Sequence, residues 1–468
     1  MSKWIPFVGL CGALAVLAGC ATGPRFQAPA APKSDSLGEV STNFNAEMDI
    51  PESWWELFQC EALNAAVQTA LEESPTQAQA LARLKQAKEE YSAQSGATVF
   101  PAVDAGLSAK HQKVNPEAMG MENVPVPDPF SVYQASVSIS YDFDLFGKNR
   151  RVLEGLKAKV DQREYELDAA RQTLAANVVL AFIRRAEVAE RLAAARDVVA
   201  ARSEQFGMAE ERRKVGGISQ AEWERHGLWL DQAKLALPAL EYQEAQLRRQ
   251  LAVYLGKEPG EAIPDGVKLS ALRLSGDLPL RVPSEVARRR PDIRAAEAVW
   301  HQACANVGVA TANLYPQFTL SASLGSQTTD LGDLLNSLNV WSVGGALMQP
   351  VFRGGALRAK KRAAVAAYDE AAAAYRQTVL RGLQEVADVL GALEADARTL
   401  ETQSAVLSRT ASVQDIARRQ HEAGGISRMA LLDETIRLRQ AQSDVARAQA
   451  ARVADAAALF HALGGGAR

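Results

Sequence analysis

The chain has little of what most enzymes need. Aromatic residues make up 6% of its 468 positions. The five histidines (His111, His226, His301, His421 and His461) are scattered, and no GxSxG, HExxH or GxxxxGK[ST] segment occurs. Nucleophile-elbow, zinc-protease and P-loop chemistry are thereby excluded, and neither an enzyme nor a cofactor is expected. Cysteine is also sparse. Cys11, Cys20, Cys60 and Cys304 show neither CxxC nor zinc-ligand spacing, so no metal or redox motif is supported. The seven methionines do not cluster, which argues against a dedicated copper or silver route. A formal net charge of −3 gives no reason to expect nucleic acid, which favours a clustered basic face.

What is present is alanine and helical periodicity. The run Lys148–Lys214 carries an apolar stripe through Leu174, Val178 and Phe182 at steps near three and four. As one helix it would reach about 100 Å, too long for an ordinary globular core. It turns at Val215-Gly216-Gly217-Ile218-Ser219 and returns to Gly256, so the hairpin spans about 148–256. A second helical run, clear in pattern from Lys360 onward, turns at Ala423-Gly424-Gly425-Ile426-Ser427 and returns to Leu463-Gly464, so the second hairpin spans about 356–463. The turns are 208 positions apart (216 and 424), and so are the closing Leu-Gly pairs (255 and 463). A matched offset at both ends indicates a duplicated unit. Gly216 and Gly424 are expected in the left-handed conformation that ends a helix, with Gly217 and Gly425 following. Ser219 and Ser427 are expected to cap the returning helices. Pro238 should kink the first return helix by removing a backbone donor.

Ahead of the hairpins lie other signals. Residues 1–19 read as a secretory signal, with Lys3 before the apolar core Ile5–Val16. The segment Leu17-Ala18-Gly19-Cys20 resembles a bacterial lipoprotein cleavage site, which implies acylation of Cys20; the plainer reading is an ordinary signal with an incidental cysteine. Ala21 after the cysteine favours the outer membrane by the same likeness. Residues 20–53 form a strap rich in Pro and Ala, 54–260 a first repeat, 261–282 a connector and 283–468 a second repeat. Trp54-Trp55 is read as packing at a domain edge. Helices are expected over Leu63–Ser74 and after Pro75, with counterparts starting at the cap Ser284 and at Pro291.

Each repeat also carries two strand-like segments: Val103–His111 and Ser131–Asp144, then Pro316–Gly325 and Asn339–Val351. Tyr133, Ala135, Val137, Ile139, Tyr141 and Phe143 alternate with Gln134, Ser136, Ser138 and Ser140. About ten residues with apolar side chains outward and small polar ones inward suit a transmembrane barrel wall. A soluble half-buried sheet is the other reading of one such strand. Val114–Phe130 would be an exposed loop. Four strands alone would leave sheet edges in hydrocarbon, where each unsatisfied backbone group costs several kcal/mol. Closure by association of copies, usually cyclic, follows.

Several motifs occur in a fixed order: Gly23-Pro24-Arg25-Phe26, Trp54-Trp55, Asp144-Leu145-Phe146-Gly147, the run Arg289 to Glu297, Pro350-Val351-Phe352-Arg353-Gly354-Gly355, and Ala462-Leu463-Gly464-Gly465-Gly466. In that order they resemble the TolC/OprM-type outer-membrane efflux factors, in their lipidated, NodT-like branch. The resemblance implies a mainly α fold with a transmembrane β-barrel portion. It also implies a homotrimer whose twelve-stranded barrel continues into a helical periplasmic tunnel. The function implied is a passive duct of a tripartite efflux pump, conducting drugs or other small molecules outward. A periplasmic adaptor (membrane fusion) protein and an inner-membrane pump of the RND type would be its partners, beside outer-membrane lipid. The family's acidic ring just past the tip falls on Ala430 and Asp433, so only Asp433 carries charge. Glu222 falls on a first-repeat acidic position that pairs with a base, for which Arg213, Lys214, Arg419 and Arg428 are the nearby candidates. A duct for type I protein secretion, or a coiled-coil lipoprotein scaffold without a pore, are the alternatives; the strand pairs count against the scaffold.

Overall fold

The computed structural model describes residues 22–30, 44–45, 50–113, 115, 128–264, 266–273, 278–279, 286, 288–334, 336 and 338–465. The signal segment, Cys20, Ser284, Gly466 and most of the Val114–Phe130 loop lie outside the described residues. Helices dominate, in the order α1 (Glu61–Glu73), α2 (Pro75–Val99), α3 (Lys148–Lys214), α4 (Gln220–Lys234), α5 (Ala236–Tyr254), α6 (Pro291–Ala312), α7 (Ala356–Glu422) and α8 (Arg428–Ala462). The strands are β1 (Phe44–Asn45), β2 (Ala102–Gln112), β3 (Phe130–Phe143), β4 (Leu278–Pro279), β5 (Gln317–Thr328) and β6 (Val340–Met348). The chain forms two compact units.

One unit holds the segment 22–28, Leu84–Gln162 and Ala296–Tyr375. Its centre is a four-stranded antiparallel sheet in the order β2-β3-β5-β6. Register puts apolar opposite apolar across every ladder: Ala105 faces Val137, Val137 faces Leu324, and Leu324 faces Trp341. The same registers put Asp104 opposite Ser138, Ser138 opposite Ser323, and Ser323 opposite Ser342. Because side chains alternate faces, one face is mainly apolar and the other mainly small and polar, with Ser131, Ser326 and Thr328 toward one end of the first and Asp104, Lys110 and Met348 on the second. The apolar face is bare, with Leu107 78%, Trp341 72% and Val343 68% exposed. Among the described residues no helix is long and apolar enough to cross a membrane.

Two strand ends differ from expectation. β5 runs on to Thr328, and β6 stops at Met348, before Pro350, whose ring nitrogen has no proton to donate to a ladder. β1 and β4, a two-residue parallel pair, were not anticipated.

The strap residues 22–28 are seated in this unit. Thr22 N–H donates to the Phe146 carbonyl at 3.1 Å, and buried Arg151 donates to the carbonyls of Thr22 (3.2 Å) and Gly23 (3.4 Å). A Cβ on Gly23 would come within 2.6 Å of Gly308 Cα, so the backbone approach requires glycine there. Phe26 stacks on His301 at 4.5 Å and meets Trp300 edge-on at 5.5 Å.

The other unit holds the strap end, α1, most of both hairpins and the chain end. Trp54 and Phe58 are fully buried beside Phe460, with the Trp54 and Phe460 rings stacked at 5.5 Å. The tryptophan is therefore core, as its edge position suggested. The hairpin helices repeat residue for residue. α3 and α7 are each 67 residues long and begin 208 positions apart (148 and 356). α7 begins at Ala356, where the hairpin of about 356–463 was expected to start, because Gly354-Gly355, both at positive φ, end the extended connector. α8 is unbroken, whereas its first-repeat counterpart is interrupted at Leu235 between α4 and α5. Pro238 explains this: it has no N–H for the Lys234 carbonyl, so the ladder fails one turn ahead of the ring.

The Arg289-to-Glu297 motif also has a packing role. Buried Arg290 donates to both Asp292 carboxylate oxygens (3.0 and 2.9 Å), to Glu385 (2.8 Å) and to the Ala462 carbonyl (2.7 Å). One guanidinium thus ties α6, α7 and the end of α8, using its planar fork of donors.

Candidate functional site at the helical turns

Both turns are built alike. Gly216 (φ 74°) and Gly424 (φ 77°) take the left-handed conformation. Gly217 N–H returns to the Arg212 carbonyl and Gly216 N–H to that of Arg213; Gly425 and Gly424 bond Gln420 and His421 in the same way. This is the Schellman pattern, which satisfies the orphan carbonyls of a helix end. Ser219 Oγ then accepts from Glu222 N–H and Ser427 Oγ from Ala430 N–H, each at 3.2 Å, opening the return helices.

Asp433 lies two turns along α8. Its Oδ1 accepts from Arg202 Nη1 (3.1 Å) and Gln205 Nε2 (3.0 Å), both on α3. Gln205 is 1% exposed and also reaches the Met429 carbonyl at 3.1 Å, while Arg202 donates to Gln205 Oε1 at 2.7 Å. On either side the same two helices are linked by Arg428 with Glu204 (2.7 Å) and Arg439 with Asp197 (2.9 Å). Ala201, Leu432 and Ile436 fill the apolar seam between these pairs. The result is an alternating-charge ladder that zips the first hairpin to the second. The Arg428 hydrogen bond holds the Glu204 carboxyl below its usual range.

Glu222 has its backbone in the Ser219 cap, and its half-buried side chain stands near His226. The four bases named for it have other contacts within the chain. Arg428 holds Glu204, Arg419 holds Asp415, Lys214 holds Glu211, and the Arg213 guanidinium lies 4.4 Å over the Trp223 ring. Burial pushes His226 below the ordinary histidine range, against the carboxylates of Glu222 and Asp433. The sequence reading missed Arg202 and Gln205, which sit three to four turns before the first glycine corner. The available signal was sign alternation: Asp197, Arg202 and Glu204 on one helix mirror Arg439, Asp433 and Arg428 on the other.

Among the described residues no group of three metal-ligating side chains converges. The arrangement is suited to holding helices and presenting charge.

Comparison with known proteins agrees in length and fold. The family model described as "Outer membrane efflux protein" matches residues 66–257 and 282–465. The pyoverdine export outer membrane protein OpmQ of Pseudomonas putida is 28% identical over 450 residues, covering 96% of this chain and 93% of that protein. The outer membrane protein OprJ of Pseudomonas aeruginosa is 28% identical over 422 residues, covering 89% and 87%. The solved outer-membrane channel OprN superimposes with a TM-score of 0.84 at 27% identity, covering 96% of this chain and 99% of that one.

Proposed function

The chain belongs to the outer membrane efflux protein family, and from that premise we propose how this outer-membrane efflux channel is assembled and gated. Three copies join their four-stranded sheets into a twelve-stranded barrel whose polar Ser and Gly face lines the pore. The six hairpins extend it as a periplasmic tunnel. Our division of each copy is 54–260 and 283–468 around the connector 261–282. The observation that carries this reading is the sheet itself: one face of mainly apolar, largely exposed side chains, with β2 and β6 open at its edges. In hydrocarbon such edges must be paired.

The Gly216-Gly217 and Gly424-Gly425 corners form the periplasmic mouth, docked by an adaptor that couples the channel to an inner-membrane pump of the RND type. Asp433 is the charged group of the gate, contributing three carboxylates around one axis, each braced by its own Arg202 and Gln205. Glu222, whose second-repeat counterpart at the offset of 208 is Ala430, is the acidic group of the gate on the first hairpin. Rings of carboxylates favour cations. Cys20 carries the acyl anchor, and the seating of Thr22 and Gly23 on Phe146 and Arg151 supports it, because the bond at Thr22 lies two residues past that cysteine and beside the end of β3. An acyl mass on Cys20 that disappears in Cys20→Ser is the expected mass-spectrometric result.

Planar-bilayer recording tests the duct. The purified protein should conduct weakly, and Asp433→Ala should raise basal conductance severalfold and lower cation preference. Currents unchanged in both respects would remove Asp433 from the gate, and no channels in either form would remove the pore.

A further inference from the structure

At the offset of 208 that relates the long helices, residues 142–154 correspond to 350–362. These segments join the sheet to α3 and to α7. The first is neutral, with Asp142, Asp144 and Glu154 balancing Lys148, Arg150 and Arg151. Two of its acids hold its arginines: Asp144 lies 3.3 Å from Arg150, and Glu154 lies 2.7 Å from Arg151. The second has five cations (Arg353, Arg358, Lys360, Lys361 and Arg362) and no acid. Phe352 stands in the place of Asp144 and Arg362 in that of Glu154, and the next acidic residue is Asp369.

Among the described residues none of the five side chains makes a hydrogen bond or an ion pair, and all but half-buried Lys361 are exposed. Arg358 lies three positions before Lys361 and four before Arg362, spacings at which like charges destabilise a helix. The stretch Tyr91–Val103, which leads into the open edge β2, carries no charged residue, so copies joined edge to edge gain no carboxylate from it. A lone surface cation is simply hydrated. Five at one junction, where the repeated junction is neutral, call for an anion.

The same place supplies apolar surface. Arg353 and Arg358 line a cleft of about 580 Å³ with Leu314, Val351, Phe352 and Leu357. Val351 and Phe352 are 92% and 85% exposed. Guanidinium groups present planar donors that match phosphate oxygens, and the bare side chains beside them suit hydrocarbon. We propose that this cleft binds an anionic phospholipid, with Arg353 and Arg358 on the headgroup phosphate and Val351 and Phe352 against the first acyl carbons. The inference rests on the reading of the sheet as a membrane wall and the hairpins as its periplasmic extension, which sets the junction at the periplasmic leaflet. Basic clusters next to a membrane span attract anionic lipid for the same reason.

Native mass spectrometry of the full-length protein, incubated in detergent with phosphatidylglycerol or with phosphatidylcholine, tests the cleft. The wild type should retain phosphatidylglycerol about tenfold more than phosphatidylcholine, and inorganic phosphate should not displace it. Arg353→Gln with Arg358→Gln should lose that preference. Phe352→Asp should lose it as well, because it restores the carboxylate that Asp144 supplies in the first repeat and removes no cation. Arg418→Gln with Arg437→Gln deletes two cations already paired with Asp415 and Glu434, and should keep it. A preference that survives both cleft variants, or that falls equally in the paired-cation variant, overturns the site. Displacement by inorganic phosphate makes the ligand a free anion. A shift in ion selectivity in planar bilayers, with lipid retention unchanged, makes the cations pore lining, and either result overturns the lipid. A wild type that conducts but shows no preference overturns the inference and leaves the membrane wall standing. A protein that never inserts overturns the wall and the cleft with it.

Discussion

Asp455 on α8 shares a hydrogen bond with Asp396 on α7, and burial is the larger cause that pushes its carboxyl up to about 6. The sign of the consequence follows from linkage. An acid whose folded pKa is raised binds more protons folded than unfolded, so stability falls as pH rises from the ordinary aspartate range to about 6. Glu385 is the opposite case: the His461 ring 3.7 Å away and the Arg290 guanidinium bring it down to about 2. Its contribution is present above the usual glutamate range and is lost only as pH falls toward 2. The two carboxyls therefore act in different windows. Asp455→Asn should stabilise the protein at pH 7 by about 1 kcal/mol after allowing for solvent screening, read as a higher thermal unfolding temperature, and leave stability little changed at pH 4. Scans by circular dichroism at the two pH values check this, and an equal effect at both would show that the Asp396 contact does not titrate.

The hairpins show how one backbone device serves two purposes. Gly216 and Gly256 both end a helix at positive φ, 74° and 72°. A Cβ on Gly216 would meet nothing within 4 Å, whereas on Gly256 it would lie 2.5 Å from the Glu73 carbonyl oxygen. Gly216→Ala should cost about 1–2 kcal/mol of left-handed strain. Gly256→Ala should add an overpacking cost of about 1–3 kcal/mol, because α1 must move. Equal losses in unfolding temperature would show that the Glu73 contact relaxes freely. The turns were legible because each carries its own Gly-Gly-Ile-Ser signal and recurs. The strands were legible through alternation, although their ends moved by up to three residues. The Asp433 contacts were not legible. They depend on α3 lying beside α8, a lateral packing of helices far apart in the chain, which the charges adjacent to the corners do not mark. The break at Leu235 was anticipated as a kink, but its place one turn ahead of Pro238 follows from which carbonyl loses its donor.

At the scale of the whole molecule, the two faces of the sheet make opposite demands, and a single pair of neighbouring residues distinguishes them. Val137 on central β3 lies between Ala105 and Leu324, on the apolar face. Ser138 lies between Asp104 and Ser323, on the other. If the apolar face meets lipid, arginine at Val137 carries a midplane cost of about 2–4 kcal/mol in every copy. Arginine at Ser138 enters the water-filled pore, where the cost is small, and places like charges around the axis. Val137→Arg should therefore sharply reduce the folded protein recovered from outer membranes. Ser138→Arg should assemble normally and shift conductance away from cations. The reverse pattern would invert the barrel, and equal tolerance of both would show that neither face meets lipid. In the barrel we propose, the Ser and Gly side chains at the middle of this face would leave the interior open, which would put regulation at the helical corners rather than where the wall crosses the membrane.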